Sequence, residues 1–93
     1  MKRNKYEQNI DDELDLHSQY VNPALEMLRE FLIEAKNNGF KNVRVITGKG
    51  IHSDEGHSSL RESVIGYLNG KYEWTYDKSN NGLNSGAVIV KIK

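Results

Sequence analysis

The sequence contains no cysteine, which excludes disulfides, zinc held by thiolates and any cysteine nucleophile. It has no apolar run near the roughly 18 residues that cross a bilayer, and its N-terminus lacks the apolar centre of a signal peptide. A charge excess is missing too: thirteen basic and thirteen acidic side chains cancel to a formal net charge of zero. A domain that held nucleic acid by bulk electrostatics would be basic, so contact with a polyanion must here be local or supported by a larger partner. The absence of cysteine fits a reducing compartment, and the cytoplasm is the expected location. What remains is a chain of 93 residues, 37% hydrophobic and 28% charged, the composition of one small domain with a modest core.

Residues 1–11 are polar and read as a flexible lead-in, with residues 12–93 as the folded domain. The acidic run Asp11-Asp12-Glu13 reads as a solvated approach to the first strand. Leu14 and Leu16 alternate with Asp15 and His17, the period of a short strand. Val21, Leu25, Leu28, Leu32 and Ala35 then form one helical stripe, opened by Asn22-Pro23 and stopped at Gly39. Val43 to Ile46 is a second strand ending at Thr47-Gly48-Lys49-Gly50. Ser59 and Glu62 form a capping box for a second helix lined by Leu60, Val64, Tyr67 and Leu68. Tyr72 to Tyr76 alternates aromatic and polar residues, and Ala87 to Ile92 is β-branched and apolar. The order β-α-β-α-β-β predicts an α/β two-layer sandwich, a mixed sheet of about four strands with both helices on one face.

Two motifs carry chemistry. Asp15 and His17, two apart on a strand, share the face opposite Leu14 and Leu16, at a strand end where α/β proteins place functional groups. A carboxylate beside an imidazole fixes its tautomer and suits it to general base work, although an isolated Asp-x-His more often caps a turn. Gly48 and Gly50 allow a tight turn whose N–H groups converge on an anion, with Lys49 as a point charge. This is no Walker A loop, because Gly48-Lys49 is followed by glycine and not by a helix. His52 and His57 flank Asp54 and Glu55, but their spacing in a loop fixes no shared face, so exposed loop residues are expected there in place of a metal centre. Trp74 and the tyrosines have the faces to stack bases, yet alternating aromatics on a strand usually pack.

Together these pieces resemble the Smr (small MutS-related) domain. Leu14-Asp15-Leu16-His17 matches the family's Leu-Asp-Leu-His-Gly, with Ser18 in place of the glycine. Thr47 to Ser53 matches His/Thr-Gly-Lys/Arg-Gly-x-His-Ser without a gap, Leu60-Arg61 matches a Leu-Arg/Lys pair, and Asn84-Ser85-Gly86 matches the Asn-Ser-Gly before the last strand. The resemblance covers residues 12–93 and implies a fold like the C-terminal domain of translation initiation factor three. It implies binding and nicking or cleavage of RNA or DNA, in some members at stalled ribosomes and in others in repair or recombination. Ser18 lacks the freedom of glycine at positive φ, so the turn after His17 is expected to differ. Thr47 does not transfer protons at neutral pH, which leaves His17 and His52 as the imidazole candidates.

The expected function is therefore an endonuclease acting on phosphodiesters. Its catalytic residues are Asp15, His17, Lys49 and His52, and its phosphate and nucleic-acid contacts are Thr47, Gly48, Lys49, Gly50, Ser53 and Arg61. The alternative is a non-catalytic nucleic-acid or ribosome-binding module. No cofactor is expected; a metal-assisted route with a divalent ion such as magnesium would use Asp15 with Glu13. The partners are RNA or DNA, with the ribosome as a further candidate and no membrane, and an isolated domain of this kind is expected to be a monomer.

Overall fold

The computed structural model describes residues 10–48, 60–77 and 86–92. The elements run β1 (Asp12–Asp15), α1 (Val21–Asn37), β2 (Asn42–Ile46), α2 (Leu60–Leu68), β3 (Glu73–Tyr76) and β4 (Ala87–Lys91), the order expected from the sequence. The strands form one mixed sheet in the order β1-β2-β4-β3. β1 pairs parallel with β2, whereas β4 runs antiparallel between β2 and β3. The three strands β1, β2 and β3 therefore point the same way.

Register decides which residues reach the core. Leu14 lies opposite Val45, Val43 opposite Val90, and Val45 opposite Val88, so these side chains share one face of the sheet. Both helices pack on that face. Leu16, Ala24, Leu28, Leu32, Ala35, Val64 and Leu68 join the strand valines in one buried cluster. Pro23 is tolerated as the third residue of α1 because the first turn of a helix leaves its N–H groups unpaired. At the other end the Gly39 and Phe40 N–H groups bond the Lys36 and Ala35 carbonyls at 3.1 and 3.0 Å, a Schellman closure that also tucks Phe40 against the core.

The start of the domain is more tightly held than an acidic approach would be. Asp11, expected to belong to the lead-in, bonds the Asn42 carbonyl through its N–H at 2.8 Å, and its carboxylate accepts the N–H groups of Lys41 and Asn42 at 2.7 and 3.2 Å. Glu13 pairs with Arg44 at 3.1 Å. Asp12 and Glu13 are therefore part of the sheet, with Asp11 bonded to the start of β2 and all three exposed; β1 begins at Asp12, earlier than the period-two pattern indicates.

β1 also ends earlier, at Asp15, because a turn takes over. The Leu16 N–H still bonds the Ile46 carbonyl at 2.7 Å, but the Gln19 N–H turns back to the Leu16 carbonyl at 3.1 Å. Ser18, at the third position of this turn, has φ 69°. The turn that favours glycine at this position is thus adopted by a serine, at a cost of about 1 kcal/mol for the left-handed backbone. His17 sits on this turn and not on the strand.

Ser18→Gly relieves the strained backbone while loosening the unfolded chain, and is expected to stabilise by roughly 0.5 kcal/mol, with Ser18→Val destabilising by about 1–2 kcal/mol in urea titrations. The Asp11 carboxyl is held below its ordinary value first by the Lys41 N–H and then by that of Asn42. Its contribution is complete above the unfolded-chain value of about 4 and is lost as the pH falls through the lower folded value. Acid titration of Asp11→Asn should show a shallower loss of stability below about pH 4 than the parent protein.

Candidate active site

Because β1, β2 and β3 are parallel and β4 opposes them, one rim of the sheet collects three strand ends and one strand start. Asp15 lies beside Ile46, Ile46 beside Ala87, and Tyr76 beside Val88. α1 follows β1 and α2 follows β2, so each helix begins at this same rim, with Val21 and Leu60 as their first residues. The first sequence motif ends here, and the second, some thirty residues further on, begins here with Thr47 and Gly48.

Asp15 and His17 meet directly. His17 Nδ1 lies 2.5 Å from Asp15 Oδ1, and the same oxygen accepts the His17 N–H at 3.1 Å. An ionised carboxylate only accepts, so Nδ1 carries the proton and neutral His17 presents a lone pair at Nε2, on the far side of the ring. The side-chain bond to His17, followed by the backbone bond, holds the Asp15 carboxyl below its ordinary value. The pair is open to solvent, the imidazole 62% and the carboxylate 52% exposed, so a large substrate can reach it without a lid. An exposed acid–imidazole pair with a fixed tautomer is equipped to take a proton from a hydroxyl or water and return it.

The second motif abuts the first. Gly48 has φ 85°, and a β-carbon placed on it would lie 3.9 Å from His17 Cβ. That spacing is ordinary contact, so it is the backbone angle that calls for glycine here, not crowding. Its neighbour behaves differently from the sequence expectation. Thr47 is 5% exposed, and its hydroxyl faces the Gly86 and Gly48 carbonyls at 3.2 and 2.9 Å. The Thr47 and Gly48 N–H groups both donate to the Gly86 carbonyl, at 2.8 and 2.9 Å. Thr47 therefore ties the end of β2 to the start of β4 and offers no hydroxyl to a phosphate. The Gly48 N–H is likewise spent within the protein, so these two amides do not form the expected anion cradle. Lys49, Gly50, His52 and Ser53 lie outside the described residues, as do His57 and Ser59.

Arg61, in the first turn of α2, places its guanidinium 4.7 Å from the centroid of the Tyr76 ring. Tyr76 in turn meets Trp74 edge to face at 5.1 Å, and the Trp74 N–H bonds Asn69 at 2.9 Å. The β3 aromatics are thus mutually packed, with Arg61 covering the end of the row.

The described residues do not fit a magnesium-type site. Glu13, expected to join Asp15 on a metal, instead carries Arg44, which also bonds Asp77 at 2.8 Å. Asp15 is engaged with His17, and among the described residues no three His, Cys, Asp or Glu side chains cluster as ligands. The Glu13–Arg44–Asp77 bridge escapes sequence reasoning because its members come from three separate segments. Only the strand register sets Glu13 opposite Arg44. The hub at Gly86 acts through a carbonyl, so its bonds are invisible beforehand; its signals are a glycine before an apolar strand and the match to the family's Asn-Ser-Gly.

Comparison with known proteins agrees with this fold. The Smr domain family model matches residues 14–93. Endonuclease NBR9 of Saccharomyces cerevisiae is similar, 38% identical over 61 residues, 62% of this chain and 25% of that protein. The crystal structure of the human small-MutS related domain is alike in fold, with a TM-score of 0.70 and 30% identity over 86% of this chain and 99% of that one. The Smr domain of Thermus thermophilus MutS2 gives a TM-score of 0.65 and 25% identity, covering 86% of this chain and 95% of that one. The chain spans about a third or less of the length of the curated relatives it matches. With nearly all of its length matched by the family model and its fold shared with solved members, this chain belongs to the Smr domain family.

Proposed function

We propose that this domain is an endonuclease that cleaves nucleic-acid phosphodiesters, with His17 as the group that moves the proton. The observation that carries this reading is the bond between His17 Nδ1 and Asp15 Oδ1 on an open rim, which leaves Nε2 as a base of fixed orientation. The similarity to a yeast protein named as an endonuclease supports the same class of reaction.

On RNA, His17 Nε2 takes the proton of the 2′-hydroxyl next to the scissile phosphate. The 2′-oxygen then bonds phosphorus, and the bond to the 5′-oxygen of the following nucleotide breaks. His52 is the proposed proton donor to that departing oxygen, and Lys49 with Gly50 is proposed to neutralise the charge that builds on the phosphate. Asp15 keeps the imidazole in the required tautomer and stabilises the imidazolium that forms. The substrate supplies the nucleophile, and the chain supplies the groups that move protons and neutralise charge.

The decisive assay incubates purified protein with labelled single-stranded RNA and DNA, with and without EDTA. Cleavage should persist in EDTA and fall about 100- to 10,000-fold in His17→Ala. Asp15→Asn should lower the rate at least about tenfold while leaving substrate affinity near its parent value, because it disturbs orientation and not binding. A single 2′-deoxy nucleotide at the cut position should block RNA cleavage there. Binding that survives in a protein with no cleavage at all would assign the domain to the non-catalytic class.

A further inference from the structure

Tyr20 lies at this rim and the route above leaves it unused. It is 85% exposed, the largest exposure among the big apolar side chains of the described residues. It also occupies the N-cap position of α1, where its side chain makes no capping hydrogen bond. That position favours Ser, Thr, Asp or Asn, whose oxygens satisfy a free N–H of the first turn. Tyrosine is therefore a poor choice twice over: it forgoes the cap and it leaves an aromatic ring in water. One exposed aromatic is unremarkable by itself. Local choices that oppose stability are expected at functional sites, and this one adjoins the Asp15–His17 pair.

We propose that Tyr20 stacks on a nucleobase flanking the scissile phosphate, which makes the substrate class a nucleic acid with an unpaired base beside the cut. The proposal rests on the endonuclease reading and extends it to the substrate. Tyr20 is three residues from His17, so their Cα atoms are at most about 10–11 Å apart, and the turn between them shortens that span. The ring is displayed from a fixed backbone: the Tyr20 carbonyl accepts the Ala24 N–H at 3.0 Å, and the preceding Gln19 is closed onto Leu16. Only the two side-chain torsions need settle when a base stacks on it, so little freedom is lost. Bases in a duplex have both faces covered by their neighbours, whereas an unpaired base offers one to an aromatic ring. Tyr20 thus selects single-stranded segments by the face of the base and leaves its edges, and hence sequence, unread.

The test uses an RNA oligonucleotide made uncleavable by one 2′-deoxy nucleotide at the mapped cut, with matched probes carrying an abasic residue on either side of it. Binding is read by fluorescence anisotropy and folding by thermal denaturation. Tyr20→Thr is expected to weaken binding of the intact single strand by about 5- to 100-fold while raising Tm by a few degrees, because threonine restores the cap. Tyr20→Phe should keep binding to within about twofold. On one of the abasic probes Tyr20→Thr and the parent protein should bind alike, and duplex binding should not respond to Tyr20→Thr. Unchanged affinity in Tyr20→Thr, or the same loss on the intact and on both abasic probes, would overturn the stacking role alone and leave the endonuclease reading standing. If the parent protein neither binds nor cuts any probe, both readings fail together.

Discussion

The parallel pairing of β1 with β2 is the constraint on which the rest of the structure depends. His17 and Gly48, some thirty residues apart in the sequence, become neighbours only because Asp15 is set opposite Ile46 and the Leu16 N–H bonds the Ile46 carbonyl. A slip of one residue would turn Leu14 out of the core and carry His17 away from Gly48. The register is held from both sides. Leu14 and Leu16 face the core, while Glu13 meets Arg44 on the opposite face and Asp11 grips the backbone of Lys41 and Asn42. Packing, charge and backbone bonding all specify the same pairing, and the geometry of the Asp15–His17 pair inherits that precision.

The second strand end is secured by a different device. β2 pairs with β4 on its other side, and the Gly86 carbonyl at the start of β4 gathers the Thr47 N–H, the Gly48 N–H and the Thr47 hydroxyl. Gly48 is thereby fixed beside His17 from the β4 side, while the turn Leu16–Gln19 fixes His17 from the β1 side. The described motif residues divide into those open to solvent, Asp15 and His17, and those that hold the rim in shape. Thr47 belongs to the second group, although its type and its place in the motif suggest the first.

Much of this was legible in the sequence, and the limits have physical causes. Six elements in their correct order follow from periodicity together with cap, glycine-stop and β-branched signals, because the helical stripe of α1 and the β-branched runs of β2 and β4 are strong. The pairing of Asp15 with His17 was readable because it is local, two residues apart, and needs no knowledge of the fold. What escaped depends on contacts between distant segments. Arg44 bridges Glu13 and Asp77 across the sheet, and no pattern within a single strand announces that. The turn at Ser18 escaped for another reason: left-handed backbone is uncommon for serine, so residue type pointed away from a conformation that the Gln19–Leu16 bond and the surrounding strands impose.

The departures from stability cluster where the chemistry is. Ser18 holds a left-handed backbone and Tyr20 forgoes a helix cap, two local penalties of about 1 kcal/mol each within three residues of His17. Their sum is comparable to burying one leucine side chain, at about 1.5–3 kcal/mol, and Leu16 beside them is fully buried. A small domain tolerates such a segment only when the neighbouring core anchors it. Here Leu16 on one side and Ala24 and Leu28 on the other pin both ends of the segment, so that His17 and Tyr20 are presented from a rigid frame. The same contacts explain why the imidazole need not be enclosed: its orientation comes from Asp15 and from the turn, not from walls around it. An exposed but oriented base suits a substrate that is long, charged and threaded across a rim, and ill suits a small metabolite that must be surrounded to be held. The fold's economy at the rim, with fixed backbone and open side chains, is itself an argument for a polymeric substrate.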